Sequence, residues 1–91
     1  MQLCWDEEKR QTTLRERKLD FADCERIFAG TTHEYRDRRK DYGEARWNAI
    51  GFLDNTLVQF AFVERDPWTR IISMRRATRQ ERRKYEKAIM G

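Results

Sequence analysis

The sequence has few of the residues that build metal centres and disulfide frameworks. Its 91 residues include two cysteines and one histidine. Cys4 and Cys24 have neither metal-ligand spacing nor further partners for a framework of bridges, and His33 has no partner at ligand spacing. We therefore expect two reduced, largely buried thiols in a cytoplasmic protein, with no metal or other cofactor.

Long hydrophobic runs are also missing. No segment approaches the roughly 20 consecutive apolar residues that a membrane span needs. The N-terminus passes from Trp5 directly into the charged residues 6–10 and does not read as a secretory signal. There is no internal repeat and no low-complexity linker. The length suits a single domain, residues 1–91, with one modest core and no membrane partner.

What the sequence has in abundance is charge, above all arginine. Charged residues make up 40% of the chain, yet 12% are aromatic and the apolar residues fall in organised runs, which argues against disorder. The net charge of +4 is uneven, because residues 70–91 contain eight basic and two acidic side chains. Fifteen of the 20 basic residues are arginine, whose planar fork suits bidentate phosphate contacts. This distribution favours an RNA or DNA partner over a neutral small molecule.

The periodicity of apolar residues predicts an α+β fold. Asp6 is a predicted helix N-cap, and Thr78 and Glu81 have the spacing of a capping box. The predicted strands are 2–5, 31–36, 45–53, 56–65 and 68–75, and the predicted helices are 6–17, 20–29 and one that starts at 78. We expect an antiparallel β-sheet meander with two N-terminal helices and one C-terminal helix.

Alternation along the strands predicts two faces of the sheet. Val58, Phe60 and Phe62 share the core face, and Ile72 with Met74 is the predicted core pair of the last strand. Arg70 falls on the core face by this count. The opposite face is predicted to carry Arg46, Asn48, Gln59, Arg65, Ser73 and Arg75. We interpret this open face as the floor of a ribose-phosphate groove.

Three blocks of the sequence resemble the BrnT toxin family, in the same order and at similar spacing. They are Trp5–Arg10 with Leu14 and Asp20-Phe21, then 41–46 with Ile50-Gly51, and then Arg70–Tyr85. The resemblance implies a RelE-like fold and a bacterial type II toxin that cleaves RNA. It also implies a ribbon-helix-helix antitoxin, BrnA, that wraps the toxin in a two-plus-two complex, which binds operator DNA through the antitoxin. The chain departs from the family at Arg17-Lys18, where a His-Gly turn is usual.

The chemistry expected of such a toxin is metal-free attack of the ribose 2′-OH on the adjacent phosphate. This reaction needs a base, cations over the phosphate oxygens and an acid for the leaving oxygen. Arg75 is the first candidate for the transition-state cation, with Arg46 and Arg65 as supporting clamps. Glu81 is the candidate base, and Tyr85 is a candidate acid or stacking platform. Contacts with the RNA backbone would come from Arg70, Arg76, Arg79, Arg82 and Arg83.

Several of these residues also have a purely structural interpretation. The capping box alone explains Glu81, and the apolar stripe of the last helix explains Tyr85. The helix arginines could serve only solubility. Two other functions therefore stay open, a non-catalytic RNA- or DNA-binding module and an assembly partner that docks an acidic protein.

Overall fold

The computed structural model describes residues 1–91 as an α+β fold with a five-stranded mixed sheet and three helices. The elements are β1 (Gln2–Trp5), α1 (Glu7–Arg17), a 3-10 turn (Phe21–Asp23), α2 (Cys24–Ala29), β2 (Thr32–Arg36), β3 (Trp47–Leu53), β4 (Thr56–Arg65), β5 (Trp68–Arg76) and α3 (Arg79–Met90). None of the helices has the length and apolar character needed to cross a membrane. The predicted α+β class is confirmed.

The predicted antiparallel meander is wrong for the sheet as a whole. The strand order is β1-β5-β4-β3-β2, and while β2 to β5 pair antiparallel, β1 lies parallel to β5 at the edge. Leu3 pairs with Thr69 across this junction, and Leu3 and Trp5 pack against the main core. A pairing between strands so distant in the chain leaves no local pattern, so the alternation within each strand could not reveal it.

The second predicted helix is shorter than its apolar spacing suggested. Asp20 accepts a hydrogen bond from the Ala22 amide and begins a 3-10 turn, and only residues 24–29 are α-helical. This short helix packs closely on β3 at Gly51, where an added Cβ would lie 2.7 Å from Cγ2 of Ile27. Only glycine at this position allows that approach.

The local helix signals in the sequence are confirmed. Asp6 accepts hydrogen bonds from the Glu8 and Lys9 amides at the start of α1, and Thr78 and Glu81 form a reciprocal capping box on α3. The departure at residues 17–18 is accommodated by a left-handed Lys18 with φ of 59°. A non-glycine side chain there costs about 1–2 kcal/mol of conformational free energy.

The sheet is covered on one face by α1 and α2, and partly on the other by α3. The first face carries the main core, which includes Phe21, Cys24, Ile27 and Phe60. Cys24 and Cys4 are free thiols, and burial raises the pKa of Cys24. On the second face a smaller cluster of Ile50, Leu57 and Tyr85 lies beneath α3. Ile50 is therefore buried in this second cluster, on the opposite face of β3 from Trp47 and Ala49, which belong to the main core.

A bulge in β5 corrects the predicted face of two residues. Ala61 pairs with Ser73 but Phe62 pairs with Ile71, so Ile72 is an extra residue without a cross-strand partner. Ile71, and not Ile72, therefore points into the core on the same side of β5 as Met74. The same shift sets Arg70 opposite Val63, on the face of Gln59 and Ala61, where simple alternation had placed it on the core face.

Candidate nucleic-acid groove

The part of the second face that α3 leaves open is a groove of about 460 Å³. Its floor comes from β2 to β5, one wall is the loop 37–46, and the other is the first turns of α3. The groove is lined by six cations and two carboxylates: Arg36, Arg38, Arg39, Arg46, Arg75, Lys84, Asp37 and Glu81. Its lining therefore has a formal charge of +4.

Strand register explains which floor residues meet. Tyr35, Asn48, Ala61 and Ser73 are consecutive cross-strand partners from β2 to β5 and form one row. Gln59 and its partner Arg75 belong to the next row, about 7 Å further along the strands. The predicted open face is confirmed for Arg46, Asn48, Gln59, Ser73 and Arg75, all of which line the groove.

Arg75 and Glu81 form a bidentate ion pair in the groove. The Arg75 Nη1 and Nη2 atoms donate to Oε1 and Oε2 of Glu81 at 2.7 and 2.8 Å, and the Thr78 amide also donates to Oε1 at 2.9 Å. The Arg75 guanidinium holds the pKa of the Glu81 carboxyl below its ordinary value. Glu81, whose side chain is 15% exposed, both caps α3 and orients Arg75.

The loop 37–46 is anchored by one buried carboxylate. The Asp37 side chain is only 1% exposed and accepts hydrogen bonds from the Arg39 amide and guanidinium and from the Tyr42 hydroxyl. The Asp37 amide donates to the Arg46 carbonyl at 2.8 Å, which closes the loop. The bonds from Arg39 hold the pKa of Asp37 at about 2. An ionised Asp37 therefore fixes the wall that carries the loop arginines.

Arg46 lies at the base of this loop with its binding capacity unused. Its guanidinium stacks 3.8 Å from the centroid of the Tyr42 ring. Its Nε is buried and has no hydrogen-bond partner. No carboxylate pairs with Arg46, nor with Arg36, Arg38 or Lys84, so these four groove cations are not neutralised within the protein. Unpaired cations in one concave site are suited to phosphate.

Tyr35 is the aromatic side chain of the groove. Its ring stacks on His33 at 5.3 Å, and the Lys84 ammonium lies 4.2 Å from its centroid. Burial, and to a smaller degree the charge of Glu81, raise the pKa of the Tyr35 hydroxyl. The hydroxyl has no partner within the protein, yet it is not sealed from solvent. Tyr35 therefore offers a protonated O–H to a ligand in the groove.

Of the predicted catalytic residues, Arg75, Glu81 and Arg46 meet in the groove, and two others do not. Arg65 lies six residues along β4 from Gln59, roughly 20 Å away, and pairs with Glu44 at 2.6 Å. Tyr85 is the buried residue of α3, packs on the sheet and donates its hydroxyl to the Thr31 carbonyl at 3.1 Å. These placements favour a surface ion pair for Arg65 and a packing role for Tyr85.

The predicted backbone-binding arginines lie outside the groove. Arg76 points to the opposite face and donates to the Arg17 carbonyl at 2.8 Å. Arg79, Arg82 and Arg83 lie on exposed positions of α3, with Arg82 over the Phe52 ring. Arg70 shares the groove face but is not among the lining residues.

The loop wall and its anchor Asp37 are not among the features predicted from the sequence. Arg36 ends the predicted strand 31–36, Arg38 and Arg39 fall in the charged segment that follows it, and none of Tyr35, Asp37 and Lys84 is a predicted site residue. A signal was present, because an acidic residue flanked by three arginines within four positions is a local ion-pair pattern. Residues 35–69 contain six basic and six acidic side chains, so their net charge of zero gives no indication of a basic site.

Comparison with known proteins adds the identity of the fold family. A family model described as the ribonuclease toxin BrnT of type II toxin-antitoxin systems matches residues 5–81. A search of curated proteins found no significant match. The matched segment includes Arg75, Glu81 and the whole loop 37–46. The chain belongs to the BrnT family of ribonuclease toxins of type II toxin-antitoxin systems, and a groove lined with unpaired cations is compatible with a phosphate-containing substrate.

Proposed function

We propose that the groove binds single-stranded RNA and cleaves it without a metal ion, through attack of a ribose 2′-OH on the adjacent phosphate. The observation that carries this proposal is the Arg75–Glu81 pair on the floor of a groove with four unneutralised cations. The antiparallel strands β2 to β5 followed by α3 support the further proposal that this is a RelE-like toxin fold.

In this reaction the O2′–P bond forms as the P–O5′ bond breaks. The products are a 2′,3′-cyclic phosphate and a 5′-OH. Arg75 donates to the non-bridging oxygens and stabilises the charge that develops on them. Arg46 supplies a second clamp through its two terminal NH2 groups, because stacking on the Tyr42 ring holds its guanidinium in place.

Glu81 is the proposed base for the 2′-OH proton. In the free protein its two oxygens are occupied by Arg75, and its pKa is lowered, so it is ionised at neutral pH. When a phosphate takes the N–H groups of Arg75, the Oε2 atom of Glu81 is released beside the reacting nucleotide. The loss of Arg75 as a partner also removes the main cause of the lowered pKa, which strengthens the base.

Tyr35 replaces Tyr85 as the proposed acid. The Tyr85 hydroxyl is committed to the Thr31 carbonyl, whereas the Tyr35 hydroxyl faces the groove without a protein partner. Its raised pKa keeps the proton on the oxygen at neutral pH, where it can pass to the leaving O5′. Lys84, close to the ring, would stabilise the tyrosinate that results.

We also propose that the partner of this toxin is a BrnA-type ribbon-helix-helix antitoxin. The +4 groove supports an antitoxin that neutralises the toxin with acidic side chains. The proposed assembly is two toxins with two antitoxins, which binds operator DNA through the antitoxin. Mass measurement of the co-purified complex tests the stoichiometry.

The experiment that tests the proposed reaction is cleavage of end-labelled RNA in excess EDTA. The purified chain is compared with Arg75→Ala, and with Arg15→Ala as a matched control on the exposed surface of α1. We expect a 2′,3′-cyclic phosphate product that is retained in the control and reduced about 10²–10³-fold in Arg75→Ala. RNA that is bound but stays intact would refute cleavage and leave the binding-module function. Cleavage that requires added metal would refute the metal-free step.

A further inference from the structure

The floor of the groove contains a buried pair of amides. Asn48 on β3 and Gln59 on β4 are 7% and 6% exposed. The Gln59 Nε2 donates to the Asn48 Oδ1 at 2.6 Å, and this is the hydrogen bond that joins the two side chains. Each amide has a second polar end, the amino group of Asn48 and the carbonyl oxygen of Gln59, for which the protein provides no partner.

These free ends open onto the groove. Among the side-chain nitrogen and oxygen atoms that lack a hydrogen-bond partner, only the Nε of Arg46 is sealed from solvent. The free ends of Asn48 and Gln59 are therefore accessible to solvent or to a ligand. Both residues line the groove, which is the space they reach. A ligand that displaces water from these ends must complete their hydrogen bonds, because an amide left half paired without water is costly.

The chemistry of the free ends is that of a nucleobase reader. Together they present one NH2 donor beside one C=O acceptor. Turning both amides by 180° exchanges their roles and again leaves one donor and one acceptor. Side-chain amides pair with base edges in this way, and single-stranded RNA is read on the Watson–Crick and Hoogsteen edges of its bases.

The position of the pair fits a base next to the reacting phosphate. Gln59 is the cross-strand partner of Arg75, and Asn48 lies two residues after Arg46 on the chain. The amide pair is therefore between the two proposed phosphate clamps, within about 7 Å of the Arg75 row along the strands. Tyr35, the cross-strand partner of Asn48, lies at the same level of the groove.

We propose that Asn48 and Gln59 form a base-reading subsite, which binds the edge of one nucleobase beside the phosphate held by Arg75. The inference rests on the proposed function, since it requires RNA in the groove. It goes further in making binding and cleavage depend on base identity, through two side chains that take no part in the bond-breaking step.

The test uses binding of 2′-O-methyl oligonucleotides, which lack the nucleophile and cannot be cleaved. Four homopolymers, one for each base, are titrated against the wild type, the double variant Asn48→Leu/Gln59→Met and the control Gln11→Met. The double variant keeps the side-chain sizes and leaves no single buried amide without its partner. The control Gln11→Met replaces an amide by a thioether in the same way, but on the exposed surface of α1. Comparison of the proteins cancels the intrinsic stacking of each oligonucleotide.

We expect the wild type and Gln11→Met to prefer one base by about 5- to 150-fold, a range that corresponds to one good bidentate base contact. The double variant should bind all four within about twofold of one another. An unchanged preference in the double variant would overturn the inference. So would equal weakening for all four bases, because that result assigns the amides to the ribose-phosphate backbone.

A second variant covers the case in which the double variant does not fold. Gln59→Glu keeps the side-chain size but cannot donate to the Asn48 Oδ1 as Gln59 does. The Asn48 amide is expected to turn and donate its amino group to the new carboxylate, so that two acceptors then face the groove. We expect it to change which base is preferred, and an unchanged order of preference would overturn the inference. Base-dependent binding without cleavage of ordinary RNA would support the subsite and refute the proposed reaction. Cleavage of RNA with the same base preference at the cleavage site in the wild type and the variants would support the proposed reaction and refute the subsite.

Discussion

Substitution of Glu81 by glutamine separates its role as a base from its role in holding Arg75. Glutamine keeps an oxygen for the Thr78 amide and for one Arg75 N–H, so the α3 cap is preserved. The bond from Arg75 Nη2 is lost, because the new amino group faces a donor. A charge-assisted bond at this partly exposed site contributes about 1 kcal/mol to the free energy of unfolding. Its loss should lower Tm by about 4–8 °C in a domain of this size.

The effect of Glu81→Gln on catalysis is expected to be larger than its effect on stability. Loss of a general base lowers kcat/KM by about 10²–10⁴-fold. Since only the carboxylate accepts a proton, the wild-type kcat/KM, which reports the free protein, should fall as pH drops through the lowered pKa of Glu81, below the ordinary value of 4.5. This acid limb should be absent in the variant.

The assay is the initial rate of RNA cleavage as a function of pH, over the range where circular dichroism shows folded protein. Glu86→Gln is the matched control, because Glu86 is exposed on the same helix. A Glu81→Gln rate within about tenfold of wild type, with the acid limb retained, would refute the base role and leave Glu81 as a positioning residue for Arg75.

Three further predictions follow from where the other side chains lie. Arg46→Ala should lower kcat/KM by about tenfold or more, whereas Arg65→Ala, with its guanidinium on Glu44, should stay within about twofold; equal losses would contradict the groove assignment. Tyr35→Phe should reduce the cleavage rate about 10²–10⁴-fold, and Tyr85→Phe should instead lower the free energy of unfolding by about 1 kcal/mol with activity retained; the opposite pattern would restore Tyr85 as the acid. Asp37 has a pKa of about 2 when folded, so its stabilisation is complete above pH about 4 and is lost as pH falls toward 2; denaturant titrations should show this loss in wild type and a flatter pH dependence in Asp37→Asn.

Much of the local structure could be predicted because its causes lie within a few residues. The Asp6 cap, the Thr78–Glu81 capping box and the alternation in β4 are short-range patterns, and each is confirmed. Alternation also placed Asn48, Gln59, Ser73 and Arg75 on one face correctly. It failed in β5, because one extra residue at Ile72 reverses the direction of every side chain before it.

The sequence by itself determined the chemical class of this protein and its family. The excess of arginine, the α+β alternation and the three family blocks are properties of the chain that need no contacts to be visible. They also indicate Arg75 and Glu81 as candidate site residues.

Only the tertiary structure decided which cations act together. Register in the sheet sets Tyr35, Asn48 and Ser73 side by side although they come from distant segments, and α3 covers one half of that face while it leaves the other open. Burial of Asp37 holds the loop arginines over the open half, whereas Arg76, Arg79, Arg82 and Arg83, the densest charge in the sequence, point elsewhere. Charge density along a chain is a local property, but the field in a groove depends on which side chains the fold brings to one place.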